Sequence, residues 1–189
     1  MEQLEDWLKT INVKGSVLDV GGSQLPIKGR TKSWEVSDYK VLDLHKPHEC
    51  KQEPDIRIDL NYGLIMASYA EKEIIRSGFD VVFCLEVSEY WFDPMTALRA
   101  LYTLTKDSGL LYISFHFVYP IHNPVENDYL RYTPNGALKL LQEAGFEIVE
   151  TIPRLAGGDF KSWCISEKMK PADCDMHKWI GVLIKAKKI

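Results

Sequence analysis

Cysteine is scarce in this sequence, and its spacing fits neither a disulfide framework nor a common zinc motif. The four cysteines stand at positions 50, 84, 164 and 174, and no two of them form a C-x-x-C pair. This argues against a disulfide-stabilised secreted domain and suits a reducing compartment. The loop His45–Cys50 places two histidines near a thiol, but Pro47 interrupts any regular spacing. We therefore predict a solvated loop there, and no metal site.

The sequence also has no excess of basic residues and no long apolar run. It holds 23 Lys and Arg against 27 Asp and Glu, for a net charge of −4. Nucleic acid is not an expected partner, because phosphate binding calls for a basic surface. No stretch approaches the roughly 20 apolar residues of a membrane span. The first residues are acidic, so we expect no membrane partner and a cytoplasmic location. Nothing in the sequence indicates the oligomeric state.

What the sequence does contain is enough apolar residues for one sizeable core. Residues A, V, I, L, M, F, W, Y and C make up 46% of the 189 positions, so we predict one domain over residues 1–189. Several short apolar runs are continuous, which is typical of strands buried on both faces of a sheet. These runs predict strands at 16–20, 39–42, 56–59, 79–85, 110–115, 146–152 and 179–185.

Helical spacing occurs between several of these strands. An N-terminal helix within residues 1–13 aligns Leu4, Trp7, Leu8 and Ile11 on one face. Further helices are predicted after Asp93, after residue 133 up to residue 145, and, more weakly, over residues 64–76. The alternation of strands and helices predicts an α/β fold with a mostly parallel sheet, whose ligands bind beyond the carboxyl ends of the strands.

Two segments depart from this alternation. Residues 26–38 are polar and show no apolar period, so the helix expected between the first two strands must be short or absent. Residues 154–178 separate the last two strands by more than a simple hairpin loop, and we predict an insertion or a lid there.

The first strand ends in an acidic residue and two glycines, in the sequence Val17-Leu18-Asp19-Val20-Gly21-Gly22-Ser23. Such a turn points backbone N–H groups at a bound cofactor. Asp43 ends the second strand, where a carboxylate can accept both hydroxyls of a ribose, and Asp59 near the third strand can accept from an adenine amine. Alternatively, both acids cap the turns that follow them. An NAD site is disfavoured, because G-x-G-x-x-G is absent.

The motifs VLDVGGS, VLDL, RIDLN, FDVVFCLEVSEYW and GLLYISF, followed by HNPVENDYLRYTPNGALKLLQEAGFEIVE, resemble in their order those of class I S-adenosylmethionine-dependent methyltransferases, particularly the type 11 group. The resemblance implies a Rossmann-like, doubly wound, seven-stranded sheet, mostly parallel with the last strand antiparallel, and S-adenosylmethionine as cofactor. Ser23 and Leu25 replace two glycines of the usual loop. The resemblance implies that Asp19 and the backbone of Gly21 and Gly22 hold the methionine part, Asp43 the ribose, Asp59 with Leu60 the adenine, and Cys84, Leu85 and Glu86 the opposite wall. The other candidate cofactor-binding residues are Val20 and Ser23 in the same loop and Leu44, which offers an apolar contact for the adenine ring.

The segment after the fifth strand is rich in polar and aromatic residues and is predicted to roof an acceptor pocket. His116 or His122 is a candidate general base, because histidine titrates near neutral pH. Tyr119 or Arg131 would orient a substrate, and Asp128 would orient a histidine. In the alternative interpretation, His122, Asp128 and Arg131 form a structural hydrogen-bond network that braces the loop.

These features predict methyl transfer to a small or medium-sized acceptor. Oxygen is favoured over nitrogen as the acceptor atom. The fourth strand is not followed by an Asn-Pro-Pro-aromatic run, which argues against methylation of the exocyclic amine of a nucleobase. The alternative is a non-catalytic protein with the methyltransferase fold, acting as a cofactor-binding partner subunit or as a scaffold.

Overall fold

A computed structural model describes residues 2–155 and 179–189. Three short 3-10 turns, at Leu60–Tyr62, Ser88–Tyr90 and Val125–Asn127, lie in its loops. The helices and strands, in chain order, are α1 (Glu2–Leu8), β1 (Asn12–Val20), β2 (Ser33–Asp43), β3 (Ile56–Arg57), α2 (Tyr69–Ile75), β4 (Phe79–Cys84), α3 (Pro94–Leu104), β5 (Thr105–His116), α4 (Pro134–Glu143), β6 (Phe146–Leu155) and β7 (Trp179–Lys188).

The strands form one seven-stranded sheet in the order β3-β2-β1-β4-β5-β7-β6. Strands β1 to β5 pair in parallel, and β7 runs antiparallel between β5 and β6. In the sheet, β2 pairs with one edge of β1, and β4, which comes later in the chain, pairs with the other edge. This reversal of strand order creates a crevice at the carboxyl ends of β1 and β4. The predicted α/β sheet with an antiparallel last strand is confirmed.

Side-chain caps begin the helices where the sequence predicts them. Asp93 accepts a hydrogen bond from the Thr96 N–H at the start of α3, and the Thr133 hydroxyl accepts from the Gly136 N–H at the start of α4. A proline follows each cap, where its missing N–H costs no helical hydrogen bond. Gly145 ends the last of these segments with φ +102°, a conformation that favours glycine.

The two faces of the sheet are covered unequally. Helices α2, α3 and α4 pack on one face, through buried residues such as Leu98, Leu101 and Leu141. The other face is covered by α1 together with Ile27. Successive strand residues alternate between these two faces, so the position of a residue along its strand decides which layer its side chain joins.

The N-terminal helix is shorter than the predicted 1–13 segment. It ends at Leu8, and β1 begins at Asn12, because β1 pairs with β2 along a longer register than its apolar residues alone suggest. All four predicted core residues of this segment are nevertheless buried. No helix separates β1 from β2, as the polar sequence of residues 26–38 predicts.

Most of the predicted 154–178 insertion, residues 156–178, lies outside the described residues. The two described residues of that range, Arg154 and Leu155, end β6. In the described parts of the chain, no helix has the length and apolar character needed to cross a bilayer.

Candidate functional site

A cleft of about 880 Å³ opens at the carboxyl ends of the parallel strands. Its volume lies within the range of about 300–1,000 Å³ that is usual for small-molecule sites. The loops after β1 to β5 all contribute to its wall. The lining residues are Val20, Gly21, Gln24, Leu42, Asp43, Leu44, Lys46, Pro47, His48, Glu49, Ile58, Asp59, Leu60, Asn61, Tyr62, Glu86, Val87, Tyr90, Trp91, Phe92, His122, Asn123, Pro124, Glu126, Asn127 and Tyr129.

The turn after β1 brings the backbone close to the wall formed by the β4 loop. Gly21 has φ +77°, and its N–H donates to the Leu42 carbonyl at 2.8 Å. A Cβ on Gly21 would lie 2.4 Å from Cγ2 of Val87, so only glycine fits without displacing a neighbour. Ser23 is not among the described non-glycine residues with positive φ. Serine at this position of the turn therefore causes no backbone strain.

Asp19 lies beneath this turn and does not line the cleft. It occupies the α1 face of β1, like Val17 two residues earlier, since side chains alternate along a strand. Its Oδ2 accepts from the Ile27 N–H and from the Tyr39 hydroxyl, both at 2.7 Å. The Cβ of a residue replacing Gly22 would lie 2.5 Å from this carboxylate. Asp19 thus lies under the turn, and Gly22, which packs on its carboxylate, does not line the cleft either, whereas the resemblance implies that both hold the methionine part of the cofactor.

Burial raises the pKa of Asp19 to about 6, despite the hydrogen bonds that favour its charged form. The folded chain keeps this proton to higher pH than the unfolded chain, so the contribution of Asp19 to stability falls as pH rises from 3.8 to about 6. The Asp19→Asn variant should lack this dependence. We expect urea unfolding to show that the free energy of unfolding of Asp19→Asn rises by about 2 kcal/mol relative to that of wild type across that pH interval. Parallel stability profiles for the two proteins would contradict the raised pKa.

The two acids at the ends of β2 and β3 both line the cleft and both accept from backbone N–H groups. Asp43 accepts from Ser23 at 3.2 Å and from Leu44 at 2.8 Å. Asp59 accepts from Asn61 at 2.9 Å and caps the turn that follows. Both acids thus bind backbone N–H groups, as the capping alternative predicts. Their carboxylates line the cleft nevertheless. Val20, Leu44 and Leu60 line the cleft beside them.

Three other residues that the resemblance assigned to the cofactor do not line the cleft. Ser23 and Cys84 are fully buried, and Leu85 packs in the layer covered by α1. Burial raises the pKa of the Cys84 thiol well above its usual range. Of the three residues predicted to form the wall after β4, only Glu86 lines the cleft. Its neighbour Val87 was not predicted and also lines the cleft.

Glu86 is held by three neighbours in an uncommon backbone conformation, φ +56°. Ser114 Oγ accepts from the Glu86 N–H and donates to Oε1, both at 2.7 Å. Arg154 Nη1 lies 2.7 Å from Oε1 and 3.0 Å from Oε2. Burial alone would raise the pKa of Glu86, but His116 and Arg154 hold it at about 2. Glu86 is therefore a fixed anion in the cleft wall.

His116 is buried behind this wall. Its Nε2 lies 3.1 Å from Glu86 Oε2 and 3.4 Å from Glu89 Oε1, although neither contact has hydrogen-bond geometry. Burial lowers the pKa of His116, but the two carboxylates outweigh it and raise the pKa to about 9. An imidazole that stays protonated at neutral pH and lies out of the cleft is unsuited to act as general base, contrary to one of the two sequence-based assignments.

His122, the other predicted base, lines the cleft. Its Nδ1 lies 3.0 Å from Oε1 of the fully buried Glu89. A carboxylate in this position stabilises an Nδ1–H tautomer, which leaves the lone pair on Nε2. Contacts with His116 and His122 oppose the effect of burial and lower the pKa of Glu89. Glu89 therefore orients this histidine, in the role that the sequence analysis gave to Asp128.

Asp128 and Arg131 instead brace the loop backbone. Asp128 accepts from the backbone N–H of His122 at 2.6 Å and forms a bidentate ion pair with Arg131. The remaining guanidinium N–H groups donate to the carbonyls of Tyr119, Pro120 and Leu130. All five donors of Arg131 are thus used within the protein, and none is left to orient a substrate. The alternative of a structural network fits Asp128 and Arg131.

Tyr119 does not line the cleft either. Its ring stacks on His116, with 4.2 Å between the ring centroids, and meets the His122 ring edge to face at 4.7 Å. It therefore packs the two histidines together instead of facing a substrate.

Sequence reasoning missed several residues of this site. Arg154 reaches Glu86 across β7, because Gly181 stands between Arg154 and His116 in the sheet register and has no side chain to block it. Asn61 ties the β3 loop to the β4 loop, donating to the Tyr90 carbonyl at 3.1 Å and accepting from the Phe92 N–H at 2.8 Å. The sequence offers one indication that Arg154 is important: it is a single arginine near a strand end that is otherwise apolar.

Three half-exposed aromatic side chains form one side of the cleft, which we call the aromatic rim: Tyr62, Phe92 and Tyr129. Their rings meet edge to face, with centroids 5.7 Å apart for Tyr62 and Phe92 and 5.8 Å apart for Phe92 and Tyr129. The three come from the loops after β3, β4 and β5. The rim gives this side of the cleft an apolar surface.

Comparison with solved structures identifies the architecture. An S-adenosylmethionine-dependent methyltransferase from Mesorhizobium loti aligns with 98% of this chain and 96% of its own, at 15% identity and a TM-score of 0.60. The chain has a class I methyltransferase fold. No protein-family profile matches the sequence, and no curated protein sequence is significantly similar to it.

Other proteins with the methyltransferase fold show its range. The 1,6-didemethyltoxoflavin-N1-methyltransferase of Burkholderia thailandensis, solved with 1,6-didemethyltoxoflavin and S-adenosylhomocysteine, aligns with 94% of this chain and 72% of its own, at 14% identity and a TM-score of 0.56. The cyclase SpnF aligns with 99% of this chain and 80% of its own, at 13% identity and a TM-score of 0.59. The methyltransferase fold therefore does not by itself define the reaction.

Proposed function

We propose that the chain is an S-adenosylmethionine-dependent methyltransferase that acts on a small or medium-sized acceptor, with oxygen favoured over nitrogen. The observation that carries this proposal is the position of Asp43 and Asp59 in one cleft with the Gly21 turn, at the carboxyl ends of adjacent strands. The bound S-adenosylhomocysteine of the Burkholderia thailandensis enzyme supports the choice of cofactor.

The residues of the cleft fit the parts of this cofactor. Gly21 lines the cleft without a side chain of its own, so a ligand can approach the backbone of the turn, with Val87 packed beside it. Asp43 offers the carboxylate that would accept from the ribose hydroxyls, and Asp59 would accept from the adenine amine. Leu44 and Leu60 offer apolar contacts for the base. When bound, S-adenosylmethionine supplies a methyl group activated by the adjacent sulfonium.

The acceptor side of the cleft is formed by His122 and the aromatic rim. A hydroxyl acceptor must lose its proton as its oxygen attacks the methyl carbon, and His122 Nε2 would take that proton. Glu89 would hold the ring in position and stabilise the imidazolium that forms. The aromatic rim would contact an apolar part of the acceptor. Most of the catalytic effect would come from holding the two reactants in line.

The Asp43→Ala variant tests the cofactor assignment. Loss of hydrogen bonds to a charged group costs about 1.5–3 kcal/mol, so we expect calorimetry to show S-adenosylhomocysteine binding weakened about 10- to 150-fold. Asp38→Ala is the matched control, since Asp38 is an exposed acid on the same strand and does not line the cleft. Equal affinities of Asp43→Ala and wild type would show that the ribose is bound elsewhere.

A panel of matched hydroxyl and amine acceptors, incubated with methyl-labelled S-adenosylmethionine, tests the reaction itself. We expect label in hydroxyl acceptors, and slower transfer by His122→Gln. Transfer to amines alone would overturn the preference for oxygen. Cofactor binding without transfer to any acceptor would favour the non-catalytic partner subunit or scaffold.

A further inference from the structure

We propose that Glu89, His116 and His122 form a binding site for one divalent transition-metal ion. One ligand atom from each residue lies within 4.8 Å of the other two. Glu89 Oε1 is 3.0 Å from His122 Nδ1 and 3.4 Å from His116 Nε2. The three side chains come from the loops after β4 and β5, so the fold, and not one local motif, brings them together.

Two atoms of this cluster have hydrogen-bonding capacity that the protein does not use. Glu89 Oε2 and His116 Nε2 are buried and have no hydrogen-bond partner within residues 2–155 and 179–189. Their side chains are 0% and 1% exposed. A buried polar atom without a partner is costly, so each such atom calls for an explanation. A cation between the carboxylate and the two imidazoles would give His116 Nε2 a partner and would balance the buried charge of Glu89.

The charges around the cluster leave room for a cation at Glu89. Arg154 is paired with Glu86, whereas both ionic partners of Glu89 among the described residues are histidines. Arg154 Nη1 lies 3.4 Å from His116 Nδ1, and a guanidinium can only donate a hydrogen bond. An ion at Nε2 would displace the proton that His116 carries there at neutral pH, and the long Arg154 contact would give way to a protonated Nδ1.

The donor set selects the class of ion. Two imidazole nitrogens and one carboxylate suit Zn²⁺, Co²⁺ or Ni²⁺ better than Ca²⁺ or Mg²⁺, which prefer oxygen ligands alone. Two histidines with one glutamate are also a ligand set of catalytic zinc sites, which keep one coordination position open. No metal is predicted from the sequence, because neither the His45–Cys50 loop nor the spacing of the cysteines matches a zinc motif.

The open position would face the cleft, since His122 belongs to its wall. This step rests on the proposed function: an acceptor oxygen bound to the ion would have a lowered pKa and would release its proton to solvent water. The oxygen would then form a bond to the methyl carbon as the carbon–sulfur bond of the sulfonium breaks. In the metal-bound state the ion would thus replace His122 as the group that activates the acceptor. The acceptor class would then be an oxygen compound able to bind a metal.

Titration of the metal-free chain with Zn²⁺, followed by calorimetry, tests the site without cofactor or acceptor. We expect one equivalent to bind, and Co²⁺ to give visible ligand-field bands. Since loss of even an outer-shell partner costs about 10- to 100-fold in metal affinity, Glu89→Gln and His122→Gln should each weaken binding by about 100-fold or more. The double variant His45→Ala/His48→Ala, which removes two exposed histidines, should bind as wild type does.

Three results would overturn the proposal. They are absence of Zn²⁺ binding to wild type, unchanged affinity in both cluster variants, and loss of binding in the loop variant. S-adenosylhomocysteine affinity and the circular dichroism spectrum report whether Glu89→Gln is folded. If Glu89→Gln is unfolded, two measurements still test the metal site. They are the Zn²⁺ affinity of His122→Gln, which replaces a partly exposed side chain, and the Co²⁺ spectrum of wild type. Because S-adenosylhomocysteine binding is measured separately, failure of the metal site and failure of the proposed function are distinguishable.

Discussion

Replacing Arg154 with leucine is expected to destabilise the protein by about 3 kcal/mol, the lower end of the range for breaking a buried ion pair. Arg154 is 3% exposed, and its guanidinium contacts both carboxylate oxygens of Glu86. Leucine fills similar space but removes the bidentate partner of this anion, which leaves His116 as its remaining cationic neighbour. The lower end applies because the Glu86 side chain is 26% exposed at the cleft. Urea unfolding at neutral pH measures the difference.

The pH dependence of this loss provides an internal check. The folded chain holds the pKa of Glu86 at about 2, against 4.5 for the free side chain, so the stability that the charged carboxylate contributes is lost as pH falls from 4.5 to about 2. The loss of stability caused by Arg154→Leu should become smaller over the same pH interval. Arg154→Lys keeps the charge without the planar pair of donors and should cost less. A loss below about 1 kcal/mol at neutral pH, typical of a surface pair, would contradict the buried geometry.

Replacing Gly21 with alanine is expected to cost about 3 kcal/mol of stability and to abolish measurable cofactor binding. The left-handed conformation of Gly21, φ +77°, is unfavourable by about 1–2 kcal/mol for a residue with a Cβ. The added methyl group would also lie 2.4 Å from Val87 Cγ2, and overpacking of this kind adds about 1–3 kcal/mol. Both Gly21 and Val87 line the cleft, so the methyl group narrows it where the cofactor is proposed to bind.

Gly29 provides the matched control for this variant. It has a similar φ, +85°, but a Cβ on it would meet no atom within 4 Å. Gly29→Ala should therefore show only the backbone cost, about 1–2 kcal/mol, and normal S-adenosylhomocysteine binding. The double variant Gly21→Ala/Val87→Ala should recover the packing part of the loss. If Gly21→Ala and Gly29→Ala were equally destabilised, the close approach to Val87 would be unimportant.

The sequence predicts the sheet and its helices well, because the relevant signals are local. Continuous apolar runs identify strands that are buried on both faces, and Asp93 and Thr133 begin helices where they can cap them. The start of β1 at Asn12 was missed. The first residues of β1 pair with β2 through backbone hydrogen bonds, and such pairing requires no pattern of apolar side chains in the sequence.

The site is predicted less completely, because its contacts depend on register and side-chain direction. Strand alternation places Asp19 in the same layer as Val17, away from the cleft, although the motif alone suggests a ligand contact. The contact of Arg154 with Glu86 depends on the pairing of β6, β7 and β5 and on the space left by Gly181. No spacing in the sequence encodes that register.

The histidine cluster shows the same limit. The sequence singles out His116 and His122 as chemically important, but their different roles follow from burial and from Glu89. Asp128 was the plausible partner by proximity in sequence, and it binds the backbone of His122 instead of the ring. Distances between loops from different strands decide such assignments.

The cleft at the ends of β1, β2 and β3 is proposed to bind S-adenosylmethionine. Isothermal titration of the wild-type chain with S-adenosylmethionine, and separately with S-adenosylhomocysteine, is the decisive measurement. We expect saturable binding of one molecule of each per chain, weakened by Asp43→Ala and unchanged by Asp38→Ala. Absence of heat for both ligands at near-millimolar concentration, with a folded protein, would contradict it.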